Sequence, residues 1–290
     1  MKQLVILSGK GGTGKTTVTA SFAVLAGFCV LVDADVDAAD LHLVVKHEVR
    51  ESDNFISGKE AVISEELCSS CGICRNLCRF DAITEDLHID PFSCEGCGVC
   101  ARACPEEAIT MHDSDCGRWF ISDSAFGPFV HARLHIAAEN SGKMVSLVRE
   151  KAREEAEQKG IGLILIDGPP GVGCPVIAAV TGCDAALIVT EPTRSGLHDM
   201  KRAAELTAHF KIPTFVIINK ADLHEETAAD IETWCSANGI KTLGRIPFDS
   251  AVVEAMTSGK SLIELPEAPA AAALCNIWRE MQSETELLNA

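Results

Sequence analysis

Residues 4–17 have the types and spacing to hold a phosphate. Leu4 to Leu7 is an apolar run of strand type, ending in a turn with Gly9, Gly11, Gly12 and Gly14. Lys15-Thr16-Thr17 then opens a helix expected to run through about Ala26, which completes the pattern G-x-x-x-x-G-K-[ST] from Gly9 to Thr16. Glycines let successive backbone N–H groups turn inward where side chains would block the approach. The helix N-terminus adds a partial positive charge. In this arrangement Lys15 meets the outer phosphates and the Thr16 hydroxyl is placed to ligate Mg²⁺. Gly11, Gly12, Thr13, Gly14 and Thr17 complete the cradle. A chance glycine turn with a stray lysine would not bring the strand and helix flanks with it.

Cysteine is the second chemical signal, at fourteen residues. Eight of them form two runs, Cys68-x-x-Cys71-Gly72-Ile73-Cys74-x-x-x-Cys78 and Cys94-x-x-Cys97-Gly98-Val99-Cys100-x-x-x-Cys104. Each cysteine recurs 26 positions later (68 to 94, 71 to 97, 74 to 100, 78 to 104), and Ala82-Ile83 recurs as Ala108-Ile109 by the same step. This spacing resembles the bacterial-type two-cluster ferredoxins. The resemblance implies that three thiolates of each run grip one 4Fe–4S cluster and the fourth reaches the other. Cys68, Cys71, Cys74 and Cys104 would hold one cluster; Cys94, Cys97, Cys100 and Cys78 the other. Pro105 follows the last cysteine as the pattern wants, whereas Arg79 stands where the first proline would be. The alternative metal, zinc, takes four ligands per site and leaves the crossed fourth cysteines without a reason.

Lys10 narrows the reading of the phosphate loop. Lys10-Gly11-Gly12-Thr13-Gly14-Lys15-Thr16-Thr17 resembles the deviant Walker A loop of the MinD/ParA ATPase superfamily. By that resemblance Lys10 crosses a dimer interface to the partner's nucleotide, supplying a cation to the transferring phosphoryl group. Val30-Leu31-Val32-Asp33 reads as a second strand, and Asp33-Ala34-Asp35 resembles the D-x-D switch I segment of the superfamily. Asp35 would activate the attacking water and Asp33 would sit near the Mg²⁺ shell. Ile161 to Ile166 reads as a buried strand ending at Asp167, a Walker B acid for the same shell, in a D-x-P-P-G segment that resembles switch II. Asn219, after the strand Pro213 to Ile218, resembles the adenine-contacting asparagine, and Pro247-Phe248-Asp249 the second loop beside the base, so that Pro247 and Asp249 join the nucleotide site. Asn219-Lys220-Ala221-Asp222 also spells N-K-x-D, the order of a guanine reader. The other motifs favour ATP.

These elements imply an α/β fold. A mostly parallel P-loop NTPase sheet would carry helices on both faces, and a small α+β ferredoxin-type domain would be inserted in it. The expected division is 1–59 and 113–290 for the ATPase domain and 60–112 for the insert, with Glu51-Ser52-Asp53 and Asp113-Ser114-Asp115 as polar boundaries. Further expected elements are a strand from Phe129 to Ile136 and a helix over 142–159 with Ser141 as its N-cap. A strand from Ala185 to Thr190, a helix from Leu197 to Phe210 and a terminal helix from Ala268 complete the set. Hydrophobic residues make up 47% of the 290-residue chain, enough for a buried core, and the net charge is −17. That charge disfavours nucleic acid and anionic membranes as partners. No export signal or apolar run long enough to span a bilayer is visible, so a cytoplasmic protein is expected.

The resemblance implies a dimer, homodimeric or formed with a related ATPase. Cofactors would be ATP, Mg²⁺ and two 4Fe–4S clusters. Three functions are open: a redox protein in which ATP gates electron flow to a partner, a maturation ATPase that hands a cluster or metal to an accepting protein, and a positioning ATPase, which the charge disfavours. Mrp-type carriers have a late C-x-x-C, and none follows Lys220 here. Lys143 reads as a solvated helix residue. Cys174 lies seven residues after Asp167, in Gly171-Val172-Gly173-Cys174-Pro175. The nitrogenase iron protein, of the same superfamily, has a cluster-ligating cysteine at that offset. Cys174 is therefore a candidate interface thiol, expected as the N-cap of a helix that begins at Pro175. The second cysteine of the iron protein has no counterpart at Glu139-Asn140-Ser141.

Overall fold

The computed structural model describes residues 1–136, 138 and 140–284. The chain opens with β1 (Lys2–Ser8), α1 (Lys15–Ala26), β2 (Val30–Asp33) and the one-turn α2 (Leu41–Val44). A long strand, β3 (His47–Ile63), leads to two short helices, α3 (Ile73–Leu77) and α4 (Val99–Ala103). A second long strand, β4 (Ile109–Ser124), precedes β5 (Gly127–Leu134) and α5 (Ser141–Lys159). Strand and helix then alternate through β6 (Leu163–Pro170), α6 (Cys174–Val180), β7 (Ala185–Thr190), α7 (Arg194–His209), β8 (Thr214–Asn219), α8 (Glu225–Ala237) and β9 (Lys241–Ile246). Helices α9 (Ala251–Thr257) and α10 (Pro269–Glu284) follow.

The strands form one sheet in the order β3-β4-β5-β2-β6-β1-β7-β8-β9. From β5 to β9 in that order every pair is parallel. Such strands have both faces covered, which is why they read in the sequence as unbroken apolar runs rather than as alternation. Successive side chains still point to opposite faces. Leu4, Ile6, Leu31, Leu165 and Leu187 pack on one side with Phe22 of α1 and with Leu274, Ile277 and Trp278 of α10. The Phe22 and Trp278 rings meet edge to face at 4.8 Å. Helices α5, α6 and α7 pack against β2, β6, β7 and β1, and Met144, Val148 and Met200 on them are fully buried. β4 and β5 are adjacent strands joined by only residues 125 and 126, a connection that antiparallel strands alone can make.

Two compact units emerge among the described residues: 1–52, 119–133 and 141–284, and 53–118 with 134–136, 138 and 140. The second is therefore larger than the expected 60–112, and its polar boundaries are not linkers. Glu51-Ser52-Asp53 lies inside β3 and Asp113-Ser114-Asp115 inside β4. Most of the first eight residues of β3 are exposed. Such a segment carries loop-like composition while its backbone still pairs with a neighbour. Smaller differences follow from caps. Helix α7 starts three residues before Leu197, because the Thr193 hydroxyl accepts the Gly196 N–H at 2.9 Å. Ser141 is the first residue of α5 rather than its cap, and β5 begins and ends two residues before the expected Phe129 to Ile136.

Within the second unit the 26-residue sequence repeat is a structural repeat. Helix α3 is preceded by Gly72 at φ 71°, ψ 3°, and α4 by Gly98 at φ 69°, ψ 10°, a left-handed conformation that glycine adopts without strain. Both helices end in a cysteine of nearly identical backbone angle, Cys78 (φ −72°, ψ 115°) and Cys104 (φ −74°, ψ 115°). Ala61, Cys74, Ile83 and Ile109 form the small core of this unit.

Candidate nucleotide cavity and two cysteine cavities

The loop between β1 and α1 borders a cavity of about 570 Å³ in the first unit. Gly11, Gly12, Gly14, Lys15, Thr16 and Thr17 line it, Asp35 joins them from beyond β2, and Asn219, Pro247 and Asp249 line it as well. Gly14 stands at φ 96° with the Asn219 amide pressed on it, so that a Cβ there would lie 2.4 Å from Nδ2. At Gly9 a Cβ would come within 2.1 Å of the Asp199 Cβ. The loop can take its path only with glycine at both places.

Lys15 is almost fully buried, with Nζ 3.7 Å from Asp35 Oδ2. Thr16 Oγ1 donates to Asp167 Oδ2 at 2.7 Å, and Thr19 Oγ1 lies 3.1 Å from Asp167 Oδ1. Parallel pairing of β2 with β6 puts Asp33 directly beside Asp167. Neither lines the cavity; both are buried. The Asp33 carboxylate accepts the N–H groups of Asp35 (3.2 Å) and Leu41 (3.0 Å), bracing the segment that carries Asp35. Burial, and then the neighbouring Asp167 charge, pushes Asp33 well above the usual carboxylate range. Burial raises Asp167 as well, against the pull of Lys15 and the Thr16 and Thr19 hydroxyls. Asp35 is raised to about 6, again chiefly by burial, which the Lys15 charge opposes. The site thus gathers three carboxyl groups whose charged forms burial disfavours, with Lys15 as the cation that opposes this at Asp35 and Asp167. The Thr13 hydroxyl is buried without a hydrogen-bond partner.

Other expected residues sit differently. Lys10 does not line the cavity; its Nζ is 3.3 Å from Glu191 Oε2 and 3.4 Å from Ser195 Oγ. Lys220 pairs with the other Glu191 oxygen. Burial alone would raise the Glu191 carboxyl, but the hydrogen bonds and charges of Lys220 and Lys10 outweigh it and hold it low. Glu191 was not among the expected residues. The signal was present, since it directly follows the apolar strand β7 much as Asp167 follows the run Ile161 to Ile166. Asp249 does line the cavity while its two oxygens accept the N–H groups of Ala251 (2.9 Å) and Ala270 (3.1 Å). Cys174 is exposed and is the first residue of α6, with Gly173 as the N-cap, one position earlier than expected. The backbone at Gly142 passes beside it, a Cβ there lying 3.5 Å from the Cys174 Cβ.

In the second unit the eight repeat cysteines separate into two sets of four. Cys68, Cys71, Cys74 and Cys104 line one small cavity, and Cys78, Cys94, Cys97 and Cys100 line another. Each set draws its fourth thiol from the other run. The remaining walls are largely apolar, with Ile63, Leu87 and Ile109 at the first and Ala61, Ile83 and Ile89 at the second. Cys104 Sγ accepts the Ala108 N–H at 3.3 Å. Among the described residues no three His, Cys, Asp or Glu side chains converge closely enough to hold a single metal ion. The thiols surround cavities rather than a point.

Residues 4–263 match the CobQ/CobB/MinD/ParA nucleotide binding domain. The chain belongs to that family. The family is one of nucleotide-binding ATPases. An uncharacterized protein of Methanocaldococcus jannaschii is 36% identical over 226 residues, covering 77% of this chain and 79% of its own length. An iron-sulfur cluster carrier protein of Pyrococcus abyssi is 24% identical over 297 residues, covering 96% of this chain and 85% of its own. The fold is that of the septum site-determining protein MinD from Pyrococcus horikoshii, solved with Mg-ADP. The two align with a TM-score of 0.58 at 22% identity over 97% of this chain and 95% of that one. Among the described residues no helix is long and apolar enough to cross a membrane.

Proposed function

We propose that the chain is an Mg-dependent ATPase carrying two 4Fe–4S clusters, in which nucleotide-driven rearrangement of a dimer is coupled to electron transfer to a partner protein. The observation that carries this is the sorting of eight cysteines into two crossed sets of four around separate, apolar-walled cavities. Four thiols per cavity fit the donor set of a cubane cluster. Cys68, Cys71, Cys74 and Cys104 would hold one cluster and Cys78, Cys94, Cys97 and Cys100 the other. When bound, the clusters supply one-electron carriers whose potential depends on the surrounding hydrogen bonds and exposure.

At the nucleotide cavity the chain's own groups divide the work. Loop N–H groups and the start of α1 face the phosphates, and Lys15 exchanges Asp35 for the outer phosphates. Thr16 and Asp167, with Asp33 behind them, would hold Mg²⁺; two buried carboxylates side by side fit a dication. Asp35, with a pKa raised to about 6, is ionised at neutral pH and still basic enough to take a proton from water at Oδ2. Lys10 must leave Glu191 before it can reach the nucleotide of a second protomer.

The carrier-protein relatives favour a second reading, delivery of a cluster to an acceptor. One experiment separates the two. The anaerobically reconstituted chain is reduced and mixed, with and without ATP, with a one-electron dye or with an apo-ferredoxin. ATP-dependent dye reduction with iron retained on the chain is the expected result. Transfer of iron to the apo-ferredoxin, with no ATP effect on the dye, would replace gating by delivery.

A further inference from the structure

Asn219-Lys220-Ala221-Asp222 follows the guanine-reading order, and its last residue has no part in the function described so far. Guanine offers two adjacent donors on one edge, N1–H and the N2 amine, which a carboxylate accepts together. Adenine offers one donor, N6, beside an acceptor, N1, which a carboxylate repels. Where the Asp222 carboxylate points therefore bears on which base the cavity prefers.

The first two residues of the motif brace the phosphate loop. Asn219 Nδ2 donates to the Thr13 carbonyl at 2.7 Å, and its Oδ1 accepts the Lys220 N–H at 3.0 Å. Lys220 Nζ lies 3.4 Å from the Gly12 carbonyl. Asp222 does something else. It does not line the cavity, and its Oδ1 accepts the backbone N–H of Phe248 at 2.6 Å. Phe248 is the middle of the Pro247–Asp249 turn, which does line the cavity. The other nearby carboxylate, Asp249, has both oxygens engaged by backbone N–H groups. What remains of the wall here is apolar: Ile246, Val252, Met256, Leu262 and Leu274.

Given the nucleoside triphosphate reading above, on which this rests, we propose that Asp222 is a positioning residue for base selection. Tied to the Phe248 N–H, it fixes the Pro247–Asp249 turn against the base and withholds the carboxylate that guanine would need. Guanine carries two adjacent donors, N1–H and the N2 amine, and the carboxylates beside this turn, Asp222 Oδ1 and both oxygens of Asp249, are already taken by backbone N–H groups; a donor left unpaired is the situation in which hydrogen-bond-based discrimination is steep. Adenine has one donor group, N6, to satisfy where guanine has two.

The test measures dissociation constants of the full-length protein for the non-hydrolysable analogues of ATP and GTP with Mg²⁺, by calorimetry. Wild type is expected to favour the adenine analogue by about tenfold or more. D222A should weaken the adenine analogue by about tenfold, the order expected for one lost charge-assisted hydrogen bond, and leave the guanine analogue weak. D222N keeps an oxygen that can accept from Phe248 N–H and should recover most of the loss, which also answers for any folding defect in D222A. A guanine analogue bound as tightly as the adenine one would overturn the assignment. So would a guanine-selective loss in both variants, or an adenine affinity untouched by D222A. Binding of neither nucleotide, with K15A indistinguishable from wild type, would bring down the nucleotide reading itself along with this inference.

Discussion

The crossed cysteine sets make a prediction about iron content that pairs of substitutions can read. Cys71 and Cys97 are the exposed thiols of their runs, so alanine there removes a ligand with little loss of packing; Cys74, by contrast, is buried in the core of the unit. Cys71 shares a cavity with Cys104, and Cys97 lies at the other. With two cubane clusters the intact chain holds about eight iron atoms, and Cys104→Ala leaves about four. The double variant C71A/C104A strikes one cavity twice and should also retain about four. C97A/C104A strikes both and should retain close to none. Iron and acid-labile sulfide per chain, assayed after anaerobic reconstitution, decide the matter, with nucleotide binding as the check that the first unit is folded. If the fourth cysteine served its own run, the two double variants would exchange results. That exchange would refute the crossed arrangement.

Lys10→Ala should still bind ATP, since Lys10 contacts Glu191 and Ser195 rather than the cavity, but should turn it over poorly through loss of the cation proposed for a second protomer's nucleotide; near-normal turnover would remove it from catalysis. His131 offers a test by pH. Its ring stacks on Phe129 and Phe120 at centroid distances of 4.6 and 4.9 Å. Burial first, then the charges of His47, His42 and Arg133, lowers its pKa from the ordinary 6.5 to about 3. The folded state thus favours the neutral ring, so stability from this residue is present above pH 6.5 and is lost as pH falls toward 3. Between pH 7 and pH 5 wild type should lose about 2 kcal/mol through this group, a loss that His131→Gln should not show. Urea midpoints of both proteins at the two pH values measure it, and parallel losses would contradict the burial argument.

Much of the site was legible in the sequence because its chemistry is local. Gly9 to Thr17 fix the loop by backbone permissiveness, and the cysteine spacings fix two helical turns with the same caps. The parallel strands were legible because burial on both faces leaves little room for polar residues. Less legible were features set by the partner strand or by a distant side chain. β3 and β4 carry polar residues on exposed faces and so look like loops. The bond from Asn219 to the Thr13 carbonyl, and the Glu191 contacts with Lys10 and Lys220, join residues that are far apart in the chain. Which carboxylate faces a ligand and which caps a helix, as at Asp249, depends on where α9 and α10 begin, and no spacing in the sequence records that.

The polypeptide first enters and first leaves the cysteine-bearing unit inside two strands, β3 and β4, and returns to it only at the end of β5. That has a consequence for how such a chain can change length over evolution or in the hands of an engineer. A loop tolerates any number of added residues, but a strand counts them in twos. One residue gained or lost near position 53 or 118 would turn every later side chain of that strand to the opposite face, unless a bulge absorbed it. Transplanting residues 53–118 into another host therefore requires matched cuts in both strands that preserve parity. Natural variants of the splice should differ by even numbers, or carry a bulge where they do not.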